Sequence, residues 1–220
     1  MQTVSEVRRI LTQQLDDCSA GVVLYFDTAE QIDYAQIVED YALENPLTVM
    51  EKPDISVSLY PEGGQPQIVE LKFSYQTSRG ELKTMQNKVS PVFSSAQQYV
   101  NGNWTEAEKC LRLYSFLMDR YEYNIQTSIT PAYSLLLHGV GDSRAFATVY
   151  AAMCRQAGIE CQVVPGTRDG ATWVWNVVRI NGKYYFLDLL RCKQSGVFTL
   201  YEQNQMENYV WDYSAYPIEK

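Results

Sequence analysis

Histidine is almost missing from this chain of 220 residues, which holds one, His138. A single imidazole makes histidine-rich metal chemistry improbable. The five cysteines (Cys18, Cys110, Cys154, Cys161, Cys192) are odd in number and scattered, and none forms a Cys-x-x-Cys pair. That removes the usual zinc spacing and leaves reduced, buried thiols as the expectation. Basic blocks are missing as well: 18 Lys and Arg stand against 26 Asp and Glu, for a formal charge of −8. With nothing to offset phosphate repulsion, nucleic acid is not an expected partner. The longest apolar runs, Gly21 to Phe26 and Ser134 to Leu137, fall far short of a bilayer-crossing span of about 20 residues. The N-terminus, MQTVSEVRRILTQQLDDCS, sets its arginines inside an amphipathic pattern instead of ahead of an apolar core and a small-residue cleavage site, so no signal peptide is expected. There is no glycine-rich phosphate loop and no ligand cluster, so no metal, nucleotide or redox cofactor is expected.

What is present is enough apolar residue, 46% of the chain, to bury a core. The first half reads as a small α/β unit. Val4, Val7, Leu11 and Leu15 recur at helical spacing, GVVLYFD reads as a buried strand, and Thr28 to Gln31 matches a capping box opening a second helix that should end before Pro46. ISVSLY, with Ile55, Val57 and Leu59 on one face, and IVELKFSYQT, with Val69, Leu71, Phe73 and Tyr75 alternating, read as half-buried strands joined through PEGGQPQ. The stretch Val89 to Asn103, rich in Ser, Gln and Gly, is the weakest boundary candidate. The division expected is residues 1–95 as an N-terminal α/β subdomain and 104–220 as a second domain.

That second part opens on helices. Thr105 to Glu108 is a capping box, and Leu111, Tyr114, Leu117, Met118 and Tyr121 follow as one stripe. GVGDSRAFATVYAAMCRQAG reads as a loop, a helix start at Asp142 and Ser143, a core face of Phe146, Val149, Tyr150, Met153 and Ala157, and a stop at Gly158. IECQVVPG is a strand, and TWVWNVVRINGKYYFLDLL is two strands around Asn181-Gly182, a strong hairpin signal. The fold class is therefore α+β, a helix packed on an antiparallel sheet, with the N-terminal α/β subdomain before it.

This order, with W-V-W-N on one strand and Y-F-L-D ending the next, resembles the core of the transglutaminase-like (papain-like) superfamily over roughly Thr105 to Pro217. YEYN and the closing YVWDYSAYP are similar to a layout seen in bacterial proteins carrying such a domain. The family pattern is a cysteine opening the helix, a histidine in H-A-W-N and an aspartate on the following strand. Laid on it, Ser143 occupies the cysteine position, Trp173 the histidine position and Asp188 the aspartate position, while Trp175 and Asn176 match the W-N. In such a triad the helix N-terminus and the imidazole favour a thiolate, and the carboxylate orients the imidazole. A serine needs an adjacent base, and indole has an N–H donor and no lone pair to offer.

The resemblance thus implies a catalytically inactive domain whose cleft binds or scaffolds, with peptides or peptide-bearing cell-wall fragments as the ligand class and Arg144, Trp173, Trp175 and Asp188 as binding residues. Two alternatives stay open. One is a hydrolase using Ser143 with His138 as base, or Cys192 as nucleophile; the other is a structural domain whose cleft Trp173 plugs. For Asp188 the expected partners are Arg144 or Arg191. Tyr209, Trp211, Tyr213 and Tyr216 either line a groove or cover a sheet edge. The odd cysteine count suits a reducing, cytoplasmic compartment, whereas the resemblance implies a bacterial surface if a segment precedes this chain.

Overall fold

The computed structural model describes residues 3–26, 32–61 and 67–216, and these divide into two compact units, Met1–Gln86 and Asn87–Lys220. The first unit begins with α1 (Val4–Asp16), whose N-cap Thr3 and Glu6 form a reciprocal capping box. It continues through β1 (Gly21–Phe26), α2 (Tyr34–Glu44), β2 (Asp54–Pro61) and β3 (Gln67–Ser74). The three strands form an antiparallel sheet in the order β1-β3-β2, in which Val69 of central β3 opposes Leu24 on one side and Leu59 on the other. Val7 and Leu11 of α1, Ile37 of α2, and Leu24, Val69, Leu71 and Phe73 of the sheet form its core.

Two expectations change here, and a third falls outside the described residues. GVVLYFD is not buried throughout, because helices cover one face of the sheet: Leu24 and Phe26 are buried while Val23 and Tyr25 point outward, 45% and 60% exposed. On edge strand β2 the inward row is covered only at its start, and Val57 and Leu59 are exposed. The Thr28–Gln31 box lies outside the described residues, as does the middle of PEGGQPQ; α2 starts at Tyr34 under Asp33, whose carboxylate accepts from Gln36 N–H.

The division falls within α3 (Arg79–Ser95), which runs through Pro91 and passes into a 3-10 turn at Ala96–Tyr99. Much of the stretch read as a boundary is therefore helical. Beyond it come α4 (Glu106–Met118), β4 (Glu122–Tyr123), α5 (Pro131–His138), β5 (Val140–Gly141), α6 (Ser143–Gln156), β6 (Cys161–Arg168), β7 (Ala171–Ile180), β8 (Lys183–Leu187), α7 (Leu189–Ser195) and β9 (Tyr209–Trp211). Short β4 and β5 pair in parallel; the main sheet is antiparallel, in the order β8-β7-β6-β9. The fold is α+β.

Helix α6 is the centre of this unit. It packs on β6 and β7 and also against α4 and α5, so it buries far more than the single face expected, including Ala145, Ala147, Thr148 and Ala151. Its alanines let neighbouring elements approach closely. On α4 the capping box of Thr105 and Glu108 forms, but the buried stripe is Cys110, Leu113, Phe116 and Leu117, with Leu111 exposed. Leucine at both 111 and 113 permits two helix phases, and packing selects the second. The hairpin between β7 and β8 turns on Asn181 and Gly182, with φ of 51° and 81°, the left-handed pair such a two-residue turn requires.

Strand β9 pairs with β6, so Tyr209 and Trp211 extend the sheet and are buried, while Tyr213 is exposed. Gly166 makes this pairing possible: a Cβ there would lie 2.3 Å from Val210 O and 2.7 Å from Trp175 Cη2. All five cysteines are buried and free. Among the described residues, no helix is long and apolar enough to cross a membrane, and no three metal-ligating side chains cluster.

Candidate functional site

Two helix starts and one strand build the site. Helix α6 is capped by Asp142, whose carboxylate accepts from Ala145 N–H at 2.9 Å. Ser143 is therefore the first helical residue and not the cap. Its hydroxyl, in a residue 8% exposed, turns to β7 and accepts the Val174 N–H at 3.2 Å. The space between Ser143, Ala147, Val174, Asp188 and Leu190 is closed even to water. Among the described residues, no base contacts the Ser143 hydroxyl.

One residue earlier on β7, Trp173 points to the far side of this packing. Its indole Nε1–H donates to Asp188 Oδ2 at 2.9 Å. Asp188, 1% exposed, is the N-cap of α7: Oδ1 accepts from Leu190 N–H at 3.0 Å and Arg191 N–H at 3.1 Å. Oδ2 also accepts from Tyr209 OH at 2.6 Å and Arg168 Nη1 at 3.2 Å. Five donors on one buried carboxylate satisfy it, and charge-assisted bonds of this kind are the strong ones. Burial first, and then the Asp188 charge, pushes the Tyr209 phenol well above its usual range. It stays a neutral donor.

The guanidinium that meets Asp188 is therefore that of Arg168, at the end of β6. Arg191 contributes its backbone, while its side chain reaches Gln205 O and lies over the Tyr201 ring. Arg144 sits half-buried in the first turn of α6, its carbonyl accepting from Thr148 Oγ1 at 2.8 Å. Trp175 is 1% exposed and packs edge-on against Tyr209 and Trp211, so it belongs to the core and lines no open surface. Asn176 is wholly buried and ties β7 to α6 by donating to Ala147 O at 2.9 Å.

His138 lies exposed at the last turn of α5, edge-on to Tyr133. The Cys192 thiol is buried in α7, donates to Thr199 O at 3.5 Å and accepts from Thr199 N–H at 3.3 Å; burial, the largest influence, pushes its pKa up. It is a satisfied, unactivated thiol.

Beside Trp173 the surface opens. A cavity of about 320 Å³ is lined by Tyr123, Arg168, Trp173, Leu190, Lys193 and Gln194. Trp173 and Tyr123 lie with ring centroids 5.7 Å apart, and the Arg168 guanidinium stands 5.4 Å from the Trp173 ring centre. Of these residues, only Trp173 was singled out in the sequence. Tyr123, Arg168 and Lys193 come from β4, β6 and α7, and no local motif links them.

Serine, indole and carboxylate thus gather where a buried helix start faces an antiparallel sheet. Residues 94–189 match the model of the transglutaminase-like superfamily. The matched stretch contains Ser143, Trp173 and Asp188. No curated protein matches the chain. Among solved structures it is similar to a TGase, at 11% identity and a TM-score of 0.41, covering 77% of this chain and 50% of that one. A candidate cysteine protease from Cytophaga hutchinsonii is similar at 14% identity and a TM-score of 0.42, covering 75% and 70% of the two chains. A candidate protease from Parabacteroides distasonis is similar at 12% identity and a TM-score of 0.38, covering 62% and 36%. The chain thus spans half the length of the TGase.

Proposed function

We propose that this chain is a catalytically inactive transglutaminase-like protein that uses the pocket beside Trp173 to bind a ligand, with peptides as the expected class. The observation that carries the reading is the bond from Trp173 Nε1 to Asp188 Oδ2 at 2.9 Å. In the family pattern the aspartate orients an imidazole; here the same kind of bond orients an indole, which cannot take a proton from a nucleophile. The Ser143 hydroxyl, at the family's cysteine position, holds the Val174 N–H instead. Loss of triad members costs several powers of ten in rate and leaves only about 10³ to 10⁴ over water from the remaining binding and oxyanion interactions. The open cavity on the other side of the indole supports binding over a plugged cleft, and its volume of about 320 Å³ is at the small end of ligand sites.

Turnover tests the first half of this reading. Incubation with a glutamine-bearing protein and a fluorescent primary amine, and separately with a peptide mixture, is expected to give neither incorporation nor cleavage above a protein-free blank. Incorporation or cleavage that is lost in Ser143→Ala would overturn the inactive reading.

A further inference from the structure

The pocket beside Trp173 has a chemistry of its own. The chain carries a formal charge of −8, yet the charged side chains lining this cavity, Arg168 and Lys193, are both cations. Their donors are only partly engaged. A guanidinium has five N–H groups. In Arg168 one Nη1–H goes to Asp188 at 3.2 Å, one Nη2–H to Gln194 Oε1 at 3.5 Å, and Nε faces Asp169 Oδ2 at 3.6 Å. One N–H on each Nη has no partner among the described residues. An ammonium has three N–H groups, and Lys193 directs one to Tyr121 O at 2.9 Å and one to Glu122 Oε2 at 3.2 Å. Its third has no partner among the described residues.

We infer that this pocket takes a carboxylate monoanion carried on an apolar or aromatic body. The inference rests on the pocket being a binding site, as proposed above. Three remaining donors on two cations suit the two oxygens of a carboxylate, which a guanidinium can meet with paired N–H groups. Asp188 behind Arg168, Asp169 beside it and Glu122 beside Lys193 already balance much of the two cations' charge, so the pocket favours a monoanion over a dianionic phosphate. The remaining walls, the rings of Trp173 and Tyr123 and the side chain of Leu190, offer the body apolar contact and tilted aromatic faces. The carboxylate has two sources, a free small acid or the C-terminus of a peptide.

Calorimetry, together with the Trp173 indole N–H resonance, separates these outcomes with the whole chain and defined probes. The probes are phenylacetate, N-acetyl-L-phenylalanine and its primary amide, a hexapeptide ending in phenylalanine with a free or amidated C-terminus, and inorganic phosphate. The expected result is that at least one acid shifts the Trp173 resonance and binds at least tenfold more tightly than its amide. Lys193→Gln, which leaves the Arg168–Asp188 pair untouched, is expected to weaken the acid several-fold and leave the amide unchanged. Tight binding confined to the free-ended hexapeptide assigns the carboxylate to a peptide terminus, and equal binding of the small acids assigns it to a free acid. Amides binding as tightly as acids, or phosphate binding more tightly than both, would overturn the carboxylate and leave the pocket reading intact. If no probe binds at millimolar concentration, both fail.

Discussion

Ser143 and Asp188 both stand at helix starts, and the protein treats them in opposite ways. Among the described residues the Ser143 hydroxyl makes one hydrogen bond, accepting from a backbone N–H, inside packing that admits no water. Asp188 gathers five donors, from Trp173, Arg168, Tyr209 and the first turn of its own helix, and lies beside an open cavity. The difference shows where the polar machinery of this domain is concentrated. The nucleophile's position has become backbone support, whereas the carboxylate organises α7, β6, β7 and β9 together and fixes the indole that walls the pocket.

The largest expected effect comes from breaking the Asp188 end. Asp188→Ala leaves Arg168 without its buried partner and α7 without its cap, and should cost about 3–5 kcal/mol, read as a lowered denaturant midpoint. Ser143→Ala removes a single acceptor and leaves one buried N–H unsatisfied, so about 1 kcal/mol is expected at that end. Equal losses in the two variants would erase the contrast.

Chemistry sharpens the contrast where stability does not. Ser143→Cys alone should introduce a slow, unactivated thiol, because neither indole nor the saturated carboxylate takes its proton. Adding Trp173→His supplies a base and relieves crowding, and iodoacetamide alkylation of that thiol at pH 7 should then rise about tenfold or more, with a step as the imidazole titrates near about pH 6.5. No change between the single and double variants would mean that the indole is not what disables the site.

Alkaline pH gives the smallest effect. The folded pKa of Tyr209 lies above its ordinary value of 10.0, so the folded state holds a proton that the unfolded state releases. Stability from this phenol is complete below pH 10 and is lost as pH rises toward the folded value. Tyr41, Tyr75 and Tyr150 are raised too, burial being the first cause in each, so Tyr209→Phe should flatten only part of the alkaline decline in melting temperature.

Local signals in the sequence were the reliable ones. The capping box at Thr105, the left-handed stop at Gly158 and the Asn181-Gly182 hairpin are written in neighbouring residues, and each forms. What escaped depends on distant partners. Arg168 meets Asp188 across the β6–β7–β8 sheet, twenty positions on, and nothing at either position marks the pairing. Helix α7 is seven residues long and capped by Asp188, too short for periodicity to announce it. The outward side chains of β1 escaped because a run of apolar residues does not say whether one or both faces of a sheet are covered. At the site, the Ser143–Trp173–Asp188 neighbourhood was legible through order along the chain, but Tyr123 and Lys193 converge on the pocket only through tertiary packing.

The central claim is that no side chain at this site is activated for attack, and covalent labelling tests it most directly. The intact protein would be treated with a fluorophosphonate and, separately, with an alkylating thiol probe, then weighed and mapped by peptide. The account predicts no selective modification of Ser143 and no labelling of Cys192 ahead of the other cysteines. Rapid stoichiometric labelling of Ser143, abolished by His138→Ala or by any substitution that removes a base, would contradict it and make the protein an enzyme.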